Sequence, residues 1–124
     1  MKKKTRKLRP TETNISRAKA FVLAKWKERA AELERPEPKD LTDACKFASM
    51  FAQQIFGGRL RGNHDHQWLE IDGNIVDLTD AAGVERWPED IHEHDDDFWG
   101  NEEHQENMAT CIPRVNRWVQ EFLA

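Results

Sequence analysis

Apolar residues recur every three or four positions in the first third of the chain, which is the spacing of one face of an amphipathic helix. The pattern starts directly after Thr13 and Asn14, either of which is a suitable N-cap. Pro36 and Pro38 end it, because proline lacks an amide donor and disfavours helical geometry in the preceding residue. We therefore predict a first helix followed by a linker over residues 35–40. The apolar stripe consists of Ile15, Ala18, Val22, Trp26, Ala30 and Leu33.

A second apolar stripe predicts a helix that begins within residues 41–43, with Thr42 or Asp43 as cap, and ends at Gly57 and Gly58. Cys45 falls in its first turn, where unpaired amides and the helix dipole stabilise a thiolate and lower the thiol pKa. An inert, buried cysteine fits the position equally well. The stripe consists of Ala44, Phe47, Ala48, Phe51 and Ile55.

After a glycine-rich turn, the sequence predicts an antiparallel hairpin. Residues 66–71 alternate as a strand, residues 72–74 read Asp-Gly-Asn as a turn, and residues 75–78 form the returning strand. If Ile71 pairs near Ile75, His66 and Asp77 lie within a few residues of being opposite each other. The hairpin therefore carries a histidine on one strand and an aspartate on the other.

These elements resemble the papain-like cysteine enzymes, and among them the transglutaminase-like branch. In that family a cysteine opens a helix, a strand reads His-x-Trp-hydrophobic-Glu, and the next strand reads hydrophobic-Asp-hydrophobic-Thr. Here Cys45 is followed by His-Gln-Trp-Leu-Glu at residues 66–70 and by Val-Asp-Leu-Thr at residues 76–79. The resemblance implies an α+β fold, with the cysteine-bearing helix packed on a small antiparallel sheet and further helices at both ends of the chain.

The resemblance also implies the roles of a catalytic triad. Cys45 is the nucleophile, His66 the general base and acid, and Asp77 the group that holds the imidazole. We therefore expect a hydrolase or acyltransferase (a peptidase, amidase, deamidase or transglutaminase-like enzyme) that acts on a protein or peptide-like substrate without a cofactor. His64 competes with His66 for the role of base, and the His-x-Trp pattern favours His66.

Three further residues are candidates for substrate binding. Asn63 and His64 precede the strand and are expected to line the cleft. Trp68 either forms a wall of the cleft or belongs to the core.

The charges of the two halves of the chain are opposite. Residues 1–61 hold 16 Lys and Arg against 7 Asp and Glu, a net charge of +9, whereas residues 62–124 hold 3 against 16, a net charge of −13. Complementary or solvated faces of one domain explain this pattern. The alternative is a non-catalytic interaction protein that keeps the fold and binds a partner through these faces, with nucleic acid contacted by the basic, flexible tail at residues 1–10 as a less favoured possibility.

An acidic, histidine-bearing segment follows the hairpin. His92, His94 and His104, with the surrounding carboxylates, are ligand types for a divalent metal. Their spacing matches no closed site, and acidic runs are usually solvated surface, so we predict no metal here. A divalent-metal-binding module remains the weaker alternative function.

The rest of the sequence predicts one domain over residues 11–124. A final helix is predicted to begin at Pro113, and Cys111 before it is expected to be structural. No apolar run reaches the length of a membrane span, and the basic N-terminus leads into a charged helix instead of an apolar signal segment. We therefore expect a cytoplasmic protein with free thiols. The buried face of the final helix is predicted to be Val115, Trp118, Val119, Phe122 and Leu123.

Overall fold

The computed structural model describes residues 6–41, 44–62, 67–79, 92–93 and 102–124, without the side chains of residues 45, 92–93 and 102–110. Within these residues the chain forms three helices and an antiparallel sheet of strand order β3-β2-β1-β4. The predicted α+β class is confirmed. The helices are α1 (Glu12–Glu32), α2 (Cys45–Phe56) and α3 (Glu102–Leu123), and the strands are β1 (Arg59–Gly62), β2 (Gln67–Ile71), β3 (Asn74–Val76) and β4 (His92–Glu93).

Helix α1 begins earlier than the sequence predicted. Thr11 is the N-cap, with extended backbone at ψ 159°, and its hydroxyl accepts a hydrogen bond from the amide of Asn14 at 3.1 Å. The predicted caps Thr13 and Asn14 are therefore wrong, since both lie inside the helix. The predicted end is confirmed, because α1 stops at Glu32 and Glu34 has a positive φ of 55° before the two prolines.

Helix α2 ends at the two glycines, as the sequence predicted. Gly57 and Gly58 have φ values of 75° and 92°, in the region that favours glycine. The start differs, because Ala44 occupies the N-cap position and makes no side-chain hydrogen bond there. The structure thus does not assign the cap to Thr42 or Asp43, which themselves lie outside the described residues.

The predicted hairpin is present as β2 and β3. Its turn contains two residues, Asp72 and Gly73, with φ values of 50° and 83°, as in the type I′ turn that matches the twist of paired strands. Ile71 pairs with Asn74, so Ile75 lies opposite Glu70, one residue away from the predicted register. Strand β1 was not predicted, because residues 59–62 alternate over too short a run to stand out from the preceding glycines.

Helix α3 contains Pro113 in its interior, so the prediction that the helix begins there is wrong. Interior proline removes one backbone hydrogen bond, and the long helix tolerates this loss. Of the predicted buried face, Val115, Trp118 and Val119 are buried, whereas Leu123 is 39% exposed. Cys111 is a buried cysteine within this helix.

The core is centred on α2, which packs against both the sheet and the other helices. Phe51 is fully buried, with its ring centroid 5.6 Å from that of Phe21 of α1 and 5.5 Å from that of Phe122 of α3. Phe47 makes the equivalent contact with Trp118 at 5.6 Å. Aromatic pairs at these distances add to the free energy of apolar burial, so α2 is held in a defined position.

Candidate functional site

Cys45 is the first residue of α2 and so lies in its first turn, as the sequence predicted. The first amides of a helix have no partner inside the helix, and they carry the positive end of its dipole. Ala44 offers no side-chain oxygen to these amides. The backbone at Cys45 therefore provides the environment that favours a thiolate, while its side chain lies outside the described residues.

A buried hydrogen bond joins α2 to β2 close to this end of the helix. The Ser49 hydroxyl donates to Oε1 of Gln67 at 2.7 Å, and the two residues are 4% and 1% exposed. Ser49 lies one turn after Cys45 on the same face of the helix. Gln67 is the first residue of β2 and follows His66 in the sequence. The bond therefore joins the turn next to the candidate nucleophile to the residue next to the candidate base.

Sequence reasoning missed both members of this pair. The available signal was a serine four residues after Cys45, within an otherwise apolar helix face. A polar side chain in such a position needs a buried partner, and only the packing of α2 on β2 identifies Gln67 as that partner.

Helix α2 and strand β2 run side by side in the same direction. Ser49 contacts Gln67 at the start of the strand, and Gly58 lies against Glu70 and Ile71 at its end. The approach at Gly58 is close, since a Cβ atom there would lie 2.6 Å from the carbonyl oxygen of Glu70. The N-terminus of α2 therefore lies towards the end of the strand at which β2 begins.

Asp77 follows β3 and has a fixed orientation. Its Oδ1 accepts hydrogen bonds from the amide of Thr79 at 2.9 Å and from the Thr79 hydroxyl at 2.6 Å. Aspartate commonly stabilises a turn by accepting from the amide two residues ahead. This turn holds the side chain in place.

The register assigns Asp77 to the face of the sheet opposite α2. Leu69 pairs with Val76, so Asp77 follows directly at the position beside Trp68. Because Gln67 contacts α2, strand alternation directs Trp68 to the other face. Trp68 is 1% exposed, which favours its interpretation as a core residue over a cleft wall.

The other predicted site residues lie outside the described part of the chain. Asn63, His64 and His66 belong to the connection between β1 and β2, so their placement as base and cleft residues stays a prediction. The same holds for the side chains of His92 and His104 and for His94. Among the described residues no cluster of three or more His, Cys, Asp or Glu is placed to hold a metal ion.

Ion pairs join the basic half of the chain to the acidic half. Nζ of Lys25 lies 2.7 Å from a carboxylate oxygen of Glu121, and Arg6 lies 3.3 Å from Asp72. The hydrogen bond to Glu121, with a second to Glu28, raises the pKa of Lys25. These contacts are those expected for complementary faces of one domain.

Residues 6–10 of the basic segment lie against the body of the protein, with contacts that the sequence did not predict. The amides of Lys7 and Leu8 both donate to the carbonyl of Ile55 at 2.8 Å. The guanidinium of Arg6 donates to the carbonyl of Phe56 at 3.2 Å. The segment thus pairs with the last carbonyls of α2.

No family model, curated protein or solved structure matches the chain. In the described part of the chain, none of the helices combines the length and the apolar character needed to cross a bilayer.

Proposed function

We propose that this protein is a thiol-dependent hydrolase or acyltransferase of the papain-like, transglutaminase-like kind, acting on an amide or acyl bond of a protein or peptide-like substrate. Cys45 is the nucleophile, His66 the base and acid, and Asp77 the residue that orients His66. The observation that carries the proposal is the buried hydrogen bond between Ser49 and Gln67.

That bond supports placing the first turns of α2, where Cys45 lies, near the start of β2, which His66 precedes in the sequence. Side chains one helical turn apart have Cβ atoms roughly 5–6 Å from each other, which relates Cys45 to Ser49. Consecutive Cα atoms are about 3.8 Å apart, which relates His66 to Gln67. Ser49 and Gln67 are themselves in contact at 2.7 Å. These relations bring the two backbone positions into the same region of the fold, and the hydrogen bond between thiol and imidazole is the part of the proposal that the alkylation experiment tests.

The register of the hairpin supports the role of Asp77. Leu69 pairs with Val76, the last residue of β3, so Asp77 follows the sheet at the end where β2 begins and which His66 precedes in the sequence. The turn at Thr79 fixes one oxygen of the carboxylate, so the side chain is held ready to orient an imidazole.

The proposed reaction follows from these roles. The Cys45 thiolate adds to the carbonyl carbon, and its own backbone amide at the helix N-terminus is one donor to the oxyanion. The carbon–nitrogen bond then breaks as His66 gives its proton to the leaving amine. Water or a second amine, deprotonated by His66, attacks the thioester carbon and releases the Cys45 thiolate.

The test is the rate of thiol alkylation as a function of pH in the Cys111→Ala protein, with and without His66→Ala. We expect Cys45 to react with an apparent pKa well below the free-thiol value of about 8.5, and we expect this shift to be lost without His66. His64→Ala in the same background is the matched control, because His64 lies two residues away and should leave the pKa of Cys45 lowered.

The contrary result is a Cys45 that is inert, or that titrates like a free thiol in all three proteins. That result would remove the enzymatic proposal and favour the non-catalytic interaction protein. Circular dichroism of each variant separates a lost thiolate–imidazole pair from a lost fold.

A further inference from the structure

A cleft of about 270 Å³ lies between the C-terminal part of α1 and the linker that follows it. Its walls are apolar, and two arginines contribute its charge. Arg35 and Pro36 are exposed, so the cleft is open to solvent at this rim. The lining consists of Trp26, Arg29, Ala30, Arg35, Pro36 and Pro38.

The cleft adjoins the first turn of α2. The guanidinium carbon of Arg29 lies 4.8 Å from the ring centroid of Trp26 and 5.1 Å from that of Phe47. Phe47 is two residues after Cys45. Stacking on two rings holds the guanidinium in one position, between α1 and the first turn of α2.

The charge at this site is positive and not balanced by the lining. None of the six lining residues is acidic. Burial lowers the pKa of Arg29, and the neighbouring guanidinium groups of Arg35 and Arg114 lower it further. Glu32, the carboxylate on the adjacent turn of α1, is hydrogen-bonded to Arg114 at 2.7 Å. An added carboxylate would therefore relieve the repulsion that Arg35 and Arg114 exert on Arg29.

We propose that this cleft binds the acidic side chain of a peptide that also carries a neighbouring apolar residue. A guanidinium matches the planar geometry of a carboxylate, and Arg29 and Arg35 offer two of them. Trp26, Ala30 and the prolines supply apolar contact for the neighbouring residue. Its use as a substrate subsite rests on the proposed function, whereas binding itself is measured independently of it.

The experiment uses the full chain with Cys45→Ala, so that no reaction consumes the probe. Two dipeptides, acetyl-Phe-Glu-amide and acetyl-Phe-Gln-amide, differ in the charge of one side chain at nearly equal shape. Binding is followed by NMR at the Trp26 indole and the Ala30 amide. We expect both signals to shift saturably, with binding of the Glu peptide about tenfold tighter than binding of the Gln peptide.

Two arginine variants test the assignment. Arg29→Gln and Arg35→Gln should each reduce the preference for the Glu peptide, and Arg35 is exposed, so its substitution leaves the fold intact even if that of Arg29 does not. Arg17→Gln is the matched control, because Arg17 lies on the same helix with its guanidinium 5.6 Å from the Phe122 ring, outside the cleft. The control should retain the full preference.

Equal affinity for the two peptides, no saturable shift with either, or an unchanged preference in both cleft variants would overturn the proposal. None of these results depends on the reactivity of Cys45. If Cys45 is reactive but neither peptide is preferred, only the proposal of a peptide-binding cleft is contradicted. If Cys45 is inert but the Glu peptide is preferred, only the proposed enzymatic function is contradicted.

Discussion

The two ends of α2 are stabilised in different ways. At the C-terminal end, the carbonyl of Ile55 accepts from two backbone amides, and the carbonyl of Phe56 accepts from Arg6. The side-chain amide of Gln53 donates to the carbonyl of Gly58 at 3.3 Å. At the N-terminal end, Ala44 contributes no side-chain cap.

The C-terminal end of α2 therefore stabilises the fold, whereas the N-terminal end is suited to chemistry. Helix carbonyls that accept hydrogen bonds from other parts of the protein contribute to the stability of the fold. Helix amides without a side-chain cap can stabilise a negative charge, and Cys45 is the residue placed among them. Substitutions at the C-terminal end should therefore reduce stability without changing the reactivity of Cys45.

The largest expected effect is that of Gly58→Ala. The positive φ of 92° disfavours any side chain, and the new Cβ would lie 2.6 Å from the backbone oxygen of Glu70. We expect the free energy of unfolding, measured by urea denaturation, to fall by about 3 kcal/mol. The apparent pKa of Cys45 in the folded protein should not change.

Gly73→Ala is the control for this substitution. Gly73 also has a positive φ, at 83°, but nothing lies within 4 Å of an added Cβ. Gly73→Ala should lower the free energy of unfolding by about 1 kcal/mol, through backbone strain alone. Equal losses in the two variants would show that the contact of Gly58 with β2 contributes nothing.

Ser49→Ala is expected to affect both stability and reactivity. It removes the hydroxyl that donates to Gln67 inside the protein, which should lower the free energy of unfolding by about 1–2 kcal/mol. Because this bond fixes the distance between α2 and the start of β2, the apparent pKa of Cys45 should also rise towards the free-thiol value. Alkylation against pH in the Cys111→Ala background measures the second effect.

Gln54→Ala is the matched control on the same helix. Gln54 donates to Asn116 at 2.9 Å, but this hydrogen bond is exposed to solvent. Its loss should lower the free energy of unfolding by less than about 0.5 kcal/mol and leave the pKa of Cys45 unchanged. If Ser49→Ala behaves in the same way as Gln54→Ala, the buried bond does not position the site.

The smallest expected effect is that of Arg6→Ala. The substitution removes the donor to Phe56 and the exposed ion pair with Asp72, and should lower the free energy of unfolding by about 0.5–1 kcal/mol. Lys7→Ala is the control, since Lys7 donates through its backbone amide and keeps that bond. A change in the reactivity of Cys45 on substitution of Arg6 would contradict the separation of the two helix ends.

Local signals in the sequence predicted the elements whose geometry is local. The glycines at residues 57–58 end α2, and the Asp72-Gly73 turn joins β2 to β3, because a positive φ restricts the residues that can occupy these positions. The position of Cys45 at a helix start was also predictable, from the apolar stripe that follows it. The start of α3 was not, because proline suits a first turn but is also tolerated inside a long, packed helix.

The residues of the candidate site also fall into two groups, those that the sequence identified and those that only tertiary structure identified. Its chemistry-bearing residue types, Cys45 and Asp77, were visible in the sequence as parts of local patterns. The pairing of Ser49 with Gln67 and the stacking of Arg29 on Phe47 were decided by tertiary structure. Each pair joins residues from different elements, and the packing of α2 determines which side chains meet. Turn and helix signals depend on a few neighbouring residues, whereas these contacts depend on how whole elements bury their apolar faces.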